Sequence, residues 1–122
     1  MFTSYFGRFH LHHHPQLVSI ARKTPEWFRG RSYSALAPRS YMLKLGEAEF
    51  RQKYRLILAR LDPLRVYQDL GPEAILLCWE QPGEFCHRRL VAAWLEEHLG
   101  VQVPELPLNY HPQQQDLFGS GG

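Results

Sequence analysis

Four short stretches of this 122-residue chain carry side chains able to do chemistry. They are Ser4-Tyr5, Ser19 with Arg22-Lys23, Cys78 with Glu80, and Cys86-His87-Arg88. Arginine presents a planar fork of donors that matches phosphate or carboxylate bidentately. Arg22 and Arg88, with Ser4, Ser19 and His87, therefore form the expected phosphate- or substrate-binding set. Glu80, a carboxylate beside these cations, is the expected base or nucleophile. Cys86 precedes a predicted helix, whose free N–H groups and positive dipole end favour the thiolate, so it is a second candidate nucleophile. A structural reading stands beside each: Cys78 as a core residue, Glu80 paired with Arg22 or Arg88, Cys86 as an inert helix-start side chain.

Spacing excludes several alternatives. Six residues after Cys78 stands Glu84, and six after Cys86 stands Ala92, so the phosphatase loop with a cysteine six residues before an arginine is absent. No glycine-rich phosphate loop is present. His10, His12 and His14 alternate without an evident fourth ligand. Cys86 and His87, as neighbours on a helix, should point apart. No metal and no cofactor is expected on these grounds.

The elements that must position these groups can be read from periodicity. Met1–Tyr5, Leu17–Ala21 and Ala74–Trp79 read as strands, the last apolar on both faces and so central. Thr24–Gly30 has the grammar of a short helix, with Thr24 as cap, Pro25 at the first position and Gly30 as left-handed exit. Residues 31–46 read as irregular. Phe50, Tyr54, Ile57, Leu58 and Leu61 form one helical stripe over about 47–61. Asp62-Pro63 opens a second helix that Gly71 closes, and a third runs from Cys86 to Gly100. Val101–Val103 reads as an edge strand, and 104–122 as a flexible tail. Strands alternating with helices predict one α/β domain over 1–103, with a small, mostly parallel sheet. Ligands of such sheets bind beyond the carboxyl ends of the strands, so the loops after Tyr5, Ala21 and Trp79 should share a rim.

Composition sets the outer bounds. An apolar content of 44% with 13% aromatic fills a core and excludes a disordered chain. No apolar run approaches the ~18–20 residues that span a bilayer, no signal-peptide pattern opens the chain, and two cysteines make no disulfide framework. A reduced, cytoplasmic protein without membrane association is expected. The net charge of +2 hides a polarity: residues 1–60 carry eleven Lys/Arg against three Asp/Glu, residues 61–122 three against nine. Such asymmetry suggests either a surface facing nucleic acid or phosphate, or a dipolar domain whose halves interleave in space and cancel.

Thr3–Phe6, Val18–Arg22 with Thr24-Pro25, Leu36–Pro38, Leu77–Glu80 and Cys86–Val91 together resemble the bacterial domain-of-unknown-function 488 family. The specific part is the paired block, cysteine-aromatic-glutamate then cysteine-histidine-arginine. Lys23 stands where similar members often have glycine. The resemblance covers about residues 1–103, implies an α/β fold with its pocket at those motifs, and leaves the reaction open.

Outside that block, Gln114-Gln115-Asp116-Leu117-Phe118 resembles the motif by which bacterial replication and repair proteins bind the sliding clamp. Gln114, Asp116, Leu117 and Phe118 are the expected partner-binding residues. The combined expectation is a DNA-metabolism protein that handles a nucleotide or nucleic-acid phosphate and is recruited to the clamp by its tail. If it is an enzyme, hydrolysis or transfer at a nucleotide fits best. The alternatives are a non-catalytic adaptor and a small-molecule enzyme with no link to DNA.

Overall fold

A computed structural model describes residues 1–8, 13–80 and 84–107. The order of elements is β1 (Phe2–Tyr5), β2 (Leu17–Ser19), β3 (Arg31–Ser32), α1 (Glu47–Ala59), α2 (Pro63–Leu70), β4 (Ile75–Cys78) and α3 (His87–Leu99). Two short 3-10 turns, Ser34–Leu36 and Ser40–Lys44, lie between β3 and α1. All strand pairings are parallel, in the spatial order β1-β4-β2-β3. The α/β class read from the sequence holds, with the apolar Ile75–Cys78 run inside the sheet as expected. No helix of the described residues is long and apolar enough to cross a membrane.

Register divides the sheet into two unlike faces. Thr3, Val18 and Leu76 are paired neighbours, as are Ser4, Ser19 and Leu77. Val18 and Leu76 pack with Phe50, Tyr54 and Leu58 of α1, Val66 and Leu70 of α2, and Val91 and Leu95 of α3. Leu17, Ile75 and Leu77 point the other way, into a smaller cluster with Phe6, Phe28 and Leu106. Helices thus cover one face, while the other is closed by loop aromatics.

The helix ends follow their local chemistry. Asp62 accepts a hydrogen bond from the Leu64 amide at 3.1 Å, and Pro63 fills the first position of α2. Gly71 and Gly100 take positive φ at the exits of α2 and α3.

Three expectations need correction. Thr24–Gly30 is no helix: it holds a single turn, from the Phe28 amide to the Pro25 carbonyl, and delivers Trp27 and Phe28 to the helix-free face. Burial of Phe28 and partial burial of Trp27 outweigh a helix start only seven residues long. Gly30 keeps an ordinary φ. It is glycine because an added Cβ would stand 2.6 Å from the Leu17 carbonyl oxygen and 2.7 Å from the Phe28 ring. Val101–Val103 forms no strand. The chain instead makes one parallel bridge at Glu105 to Thr3, beyond the point where a tail is expected to begin. Residues 104–107 belong to the domain: Leu106 is buried, and Arg8 donates to the carbonyls of Leu106 and Pro107 at 3.0 and 2.9 Å.

Candidate functional site

Backbone pairing continues past the strand ends. The Phe6 amide donates to the Cys78 carbonyl and the Ile20 amide to the Leu77 carbonyl, each at 3.1 Å. The three loops are thereby held together, as the parallel sheet predicts. Trp79 makes the join visible: its ring packs edge-on to Phe6 at 5.0 Å between centroids, and its Nε1–H donates to the Lys23 carbonyl at 2.9 Å.

A cavity of about 360 Å³ opens at this edge, between the strand ends and the start of α1. Its apolar wall is Met42, Leu43, Phe50 and Phe85, and its mouth carries Arg22, Lys23, Trp79 and Glu80. Phe85 is fixed by the Phe50 ring at 5.3 Å and by the Arg51 guanidinium 4.8 Å above its centroid. Neither Arg22, Lys23 nor Glu80 has an ion-pair partner among the described residues. Trp79 is 52% exposed, an open indole whose N–H is already satisfied.

Cys78, Cys86 and His87 line the same cavity. The two cysteines are joined as a disulfide, so Cys86 is not the free thiolate nucleophile expected from its place at a helix start. Sequence reasoning took Cys86 and His87 to diverge on a helix. Cys86 is instead the N-cap of α3 with extended backbone, φ −149° and ψ 142°, so its side chain turns back beside that of His87. The potential ligand atoms of all three residues lie within 4.8 Å of one another. His87 Nε2 is 2.7 Å from the Ile20 carbonyl oxygen. A carbonyl only accepts, so Nε2 carries the proton and the Nδ1 lone pair faces Cys86 Sγ at 3.9 Å. Burial above all, with the Arg88 charge adding to it, lowers the His87 pKa to about 4. The imidazole is therefore neutral at physiological pH.

Arg88 does not reach the rim. Its guanidinium is 1% exposed and forks onto Glu105, Nε to Oε1 at 3.0 Å and Nη2 to Oε2 at 2.9 Å. Nη1 donates to the Glu80 carbonyl at 2.7 Å and to Cys78 Sγ at 3.0 Å. With every nitrogen engaged inside the fold, Arg88 ties β4 to the 104–107 segment rather than offering a fork to a ligand. Thr3 and Arg89 extend the network: Thr3 Oγ1 donates to Glu105 at 2.6 Å and accepts from Arg89 at 2.8 Å.

The two expected serines are also turned away from the cavity. Both share the helix-free face with Leu77. Ser19 Oγ accepts from the Ala21 amide at 3.2 Å and shapes the exit of β2. Ser4 Oγ is buried without a hydrogen-bond partner among the described residues. The structure thus brings together Glu80, Arg22, Cys86 and His87 from the expected set. It adds Trp79, Phe50 and Phe85, with Lys23 standing beside Arg22 as its place in the sequence implied. An aromatic in the last position of a predicted strand was the available signal for Trp79, which the sequence pattern places inside the sheet, whereas nothing local marked Glu105 as the partner of Arg88. Gln114, Asp116, Leu117 and Phe118 lie outside the described residues, as do His10 and His12.

No protein-family model, no curated protein and no solved structure matches this chain in sequence or fold comparison.

Proposed function

We propose that the cavity receives a nucleotide or a nucleotide unit of a nucleic acid, and that the protein works in cytoplasmic DNA metabolism. The observation that carries this reading is Trp79: a half-exposed indole, pinned at its N–H by the Lys23 carbonyl, beside two cations with no ion-pair partner among the described residues. A base stacks on such a platform whatever its identity. Arg22 and Lys23 supply charge for a phosphate, and the apolar wall keeps the base dry. Glu80, half-buried at the same mouth, is the carboxylate available to take a proton from an attacking group in hydrolysis or transfer. The resemblance to the domain-of-unknown-function 488 family agrees with a pocket at these motifs.

Calorimetry with mononucleotides and a short single-stranded oligonucleotide tests the reading. Binding should weaken with salt. Trp79→Ala should remove about 1–3 kcal/mol of it, the usual worth of one stacked base. Arg22→Ala with Lys23→Ala should flatten the salt dependence. Absence of heat for every nucleotide at low salt would end the proposal.

Recruitment to the bacterial sliding clamp is the second part of this reading, supported by the Gln114–Phe118 motif alone. Its test is a titration of the clamp with wild type and with Leu117→Ala/Phe118→Ala. Measurable binding only by the wild type is expected, while equal heats would leave the tail without that role.

A further inference from the structure

The base of the cavity holds a donor set that the nucleotide reading does not use. We propose that the reduced protein binds a thiophilic divalent cation, zinc being the natural fit, through Cys78 Sγ, Cys86 Sγ and His87 Nδ1, with one coordination position open to the cavity.

Four observations converge on this. The three side chains are buried, yet all line the cavity, so a cation there has a protein side and an open side. Their ligand atoms lie within 4.8 Å of one another. The Cα atoms of the two cysteines stand 7.3 Å apart, a span that two thiolates bridge through one cation with metal–sulfur bonds of ~2.3 Å. The supporting contacts are those a metal ligand needs. His87 gives its Nε2–H to the Ile20 carbonyl at 2.7 Å, which fixes the ring and leaves Nδ1 as the donor. Arg88 Nη1 stands 3.0 Å from Cys78 Sγ and donates to it, as an outer hydrogen bond to a thiolate would.

Charge closes the argument. A divalent cation with two thiolates and a neutral imidazole has no net charge, and the Arg88 charge is already matched by Glu105. The complete site therefore buries no unpaired charge. Two cysteines and one histidine with a free fourth position is a donor set of catalytic rather than structural zinc. The bound cation would act as a Lewis acid on an oxygen of a ligand in the cavity.

The cation site requires the disulfide to be opened. A phosphine does this: it takes the oxygen of a water molecule, and the two sulfurs each gain a hydrogen. On binding the cation, each thiol releases its proton to solvent.

The test uses cobalt(II) as the probe, on phosphine-reduced full-length protein whose two thiols have been counted and whose far-ultraviolet dichroism is native. One equivalent should bring up a thiolate-to-cobalt charge-transfer band and the strong visible bands of a four-coordinate site, and zinc should bleach both. Cys86→Ser should lower the charge-transfer band to about half. His87→Gln should keep that band and move the visible ones. Imidazole added to the cobalt protein should shift the visible bands, and unchanged bands would overturn the open position. Wild-type protein with two titratable thiols, native dichroism and no charge-transfer band would overturn the site itself, whatever the variants do. So would rapid return of the disulfide in place of cobalt binding. No nucleotide enters the experiment, so its outcome is independent of the nucleotide reading.

Discussion

Arg88 shows how a side chain that looks ligand-binding in sequence can be committed to structure. An arginine two residues into a helix, beside a cysteine and a histidine, has the composition of an anion site. It is instead closed on Glu105, seventeen residues later, and on sulfur and carbonyl acceptors from the end of β4. That partner was illegible because Glu105 sits in a proline-flanked stretch with no periodic signal. Arg88→Met should cost about 3 kcal/mol in urea unfolding, because the carboxylate of Glu105 is left without its fork. Glu105→Gln should cost less, since the amide still accepts from Arg88. A loss below ~1 kcal/mol for Arg88→Met would mean that the network is solvated. His87 makes a second residue-level prediction, for the oxidised, metal-free protein. Its folded pKa of about 4 lies below the ordinary 6.5. Above pH 6.5 the folded and unfolded chains are both neutral at this residue, and nothing is lost. Between pH 6.5 and 4 only the unfolded chain takes up the proton, so stability falls as pH falls, by about 3 kcal/mol in all. The difference in unfolding free energy between wild type and His87→Gln, followed across that window, isolates this contribution from the carboxylates. A pH-independent difference would refute it.

The elements were legible where one physical rule dominated and obscure where two competed. α1 and α2 follow from a helical stripe and a cap followed by proline, and β4 from an apolar run too short for a helix. Thr24–Gly30 carries an equally good cap and proline, but Phe28 is only 9% exposed and Trp27 packs beside it on the sheet. Tertiary burial won there. The same competition hid β3, whose Arg31-Ser32 pair has no strand character and is set in place by β2. Arg31 anchors it further, donating to the carbonyls of Asp69 and Leu70 at the end of α2, where a cation suits the negative end of the dipole. Gly30→Ala should therefore destabilise by roughly 1–3 kcal/mol, the range for overpacking, since backbone and ring both obstruct the new methyl group. The measurement is the midpoint of thermal or urea unfolding. An unchanged midpoint would mean that the loop gives way freely. Leu106→Ala, which removes the plug of the helix-free face, should cost about 2–5 kcal/mol on the same assay.

Across the whole molecule, the charge asymmetry is partly consumed inside the fold. Arg8, Arg29, Arg31 and Arg51 of the basic half are engaged with backbone carbonyls or Glu47. Lys53 and Arg55 on α1 remain exposed, with no ion pair among the described residues. Lys53→Glu with Arg55→Glu should weaken binding to single-stranded DNA without lowering stability, if the backbone of a longer strand tracks over α1. Filter binding at two salt concentrations checks this, and unchanged affinity would confine contact to the cavity mouth. The parallel arrangement itself has a kinetic corollary. Both β1 and β2 pair with β4, some sixty to seventy positions further along, and Thr3 pairs with Glu105, 102 residues away. During synthesis, neither early strand has its β4 neighbour until residue 78 has emerged, and the outer edge of β1 stays uncovered until residue 105 has done so. Contacts this distant in sequence make refolding slow for so small a domain, and expose two sticky strand edges meanwhile. A nascent chain stalled before β4 should be protease-sensitive throughout and a ready client for chaperones, and protection should arrive late and nearly all at once.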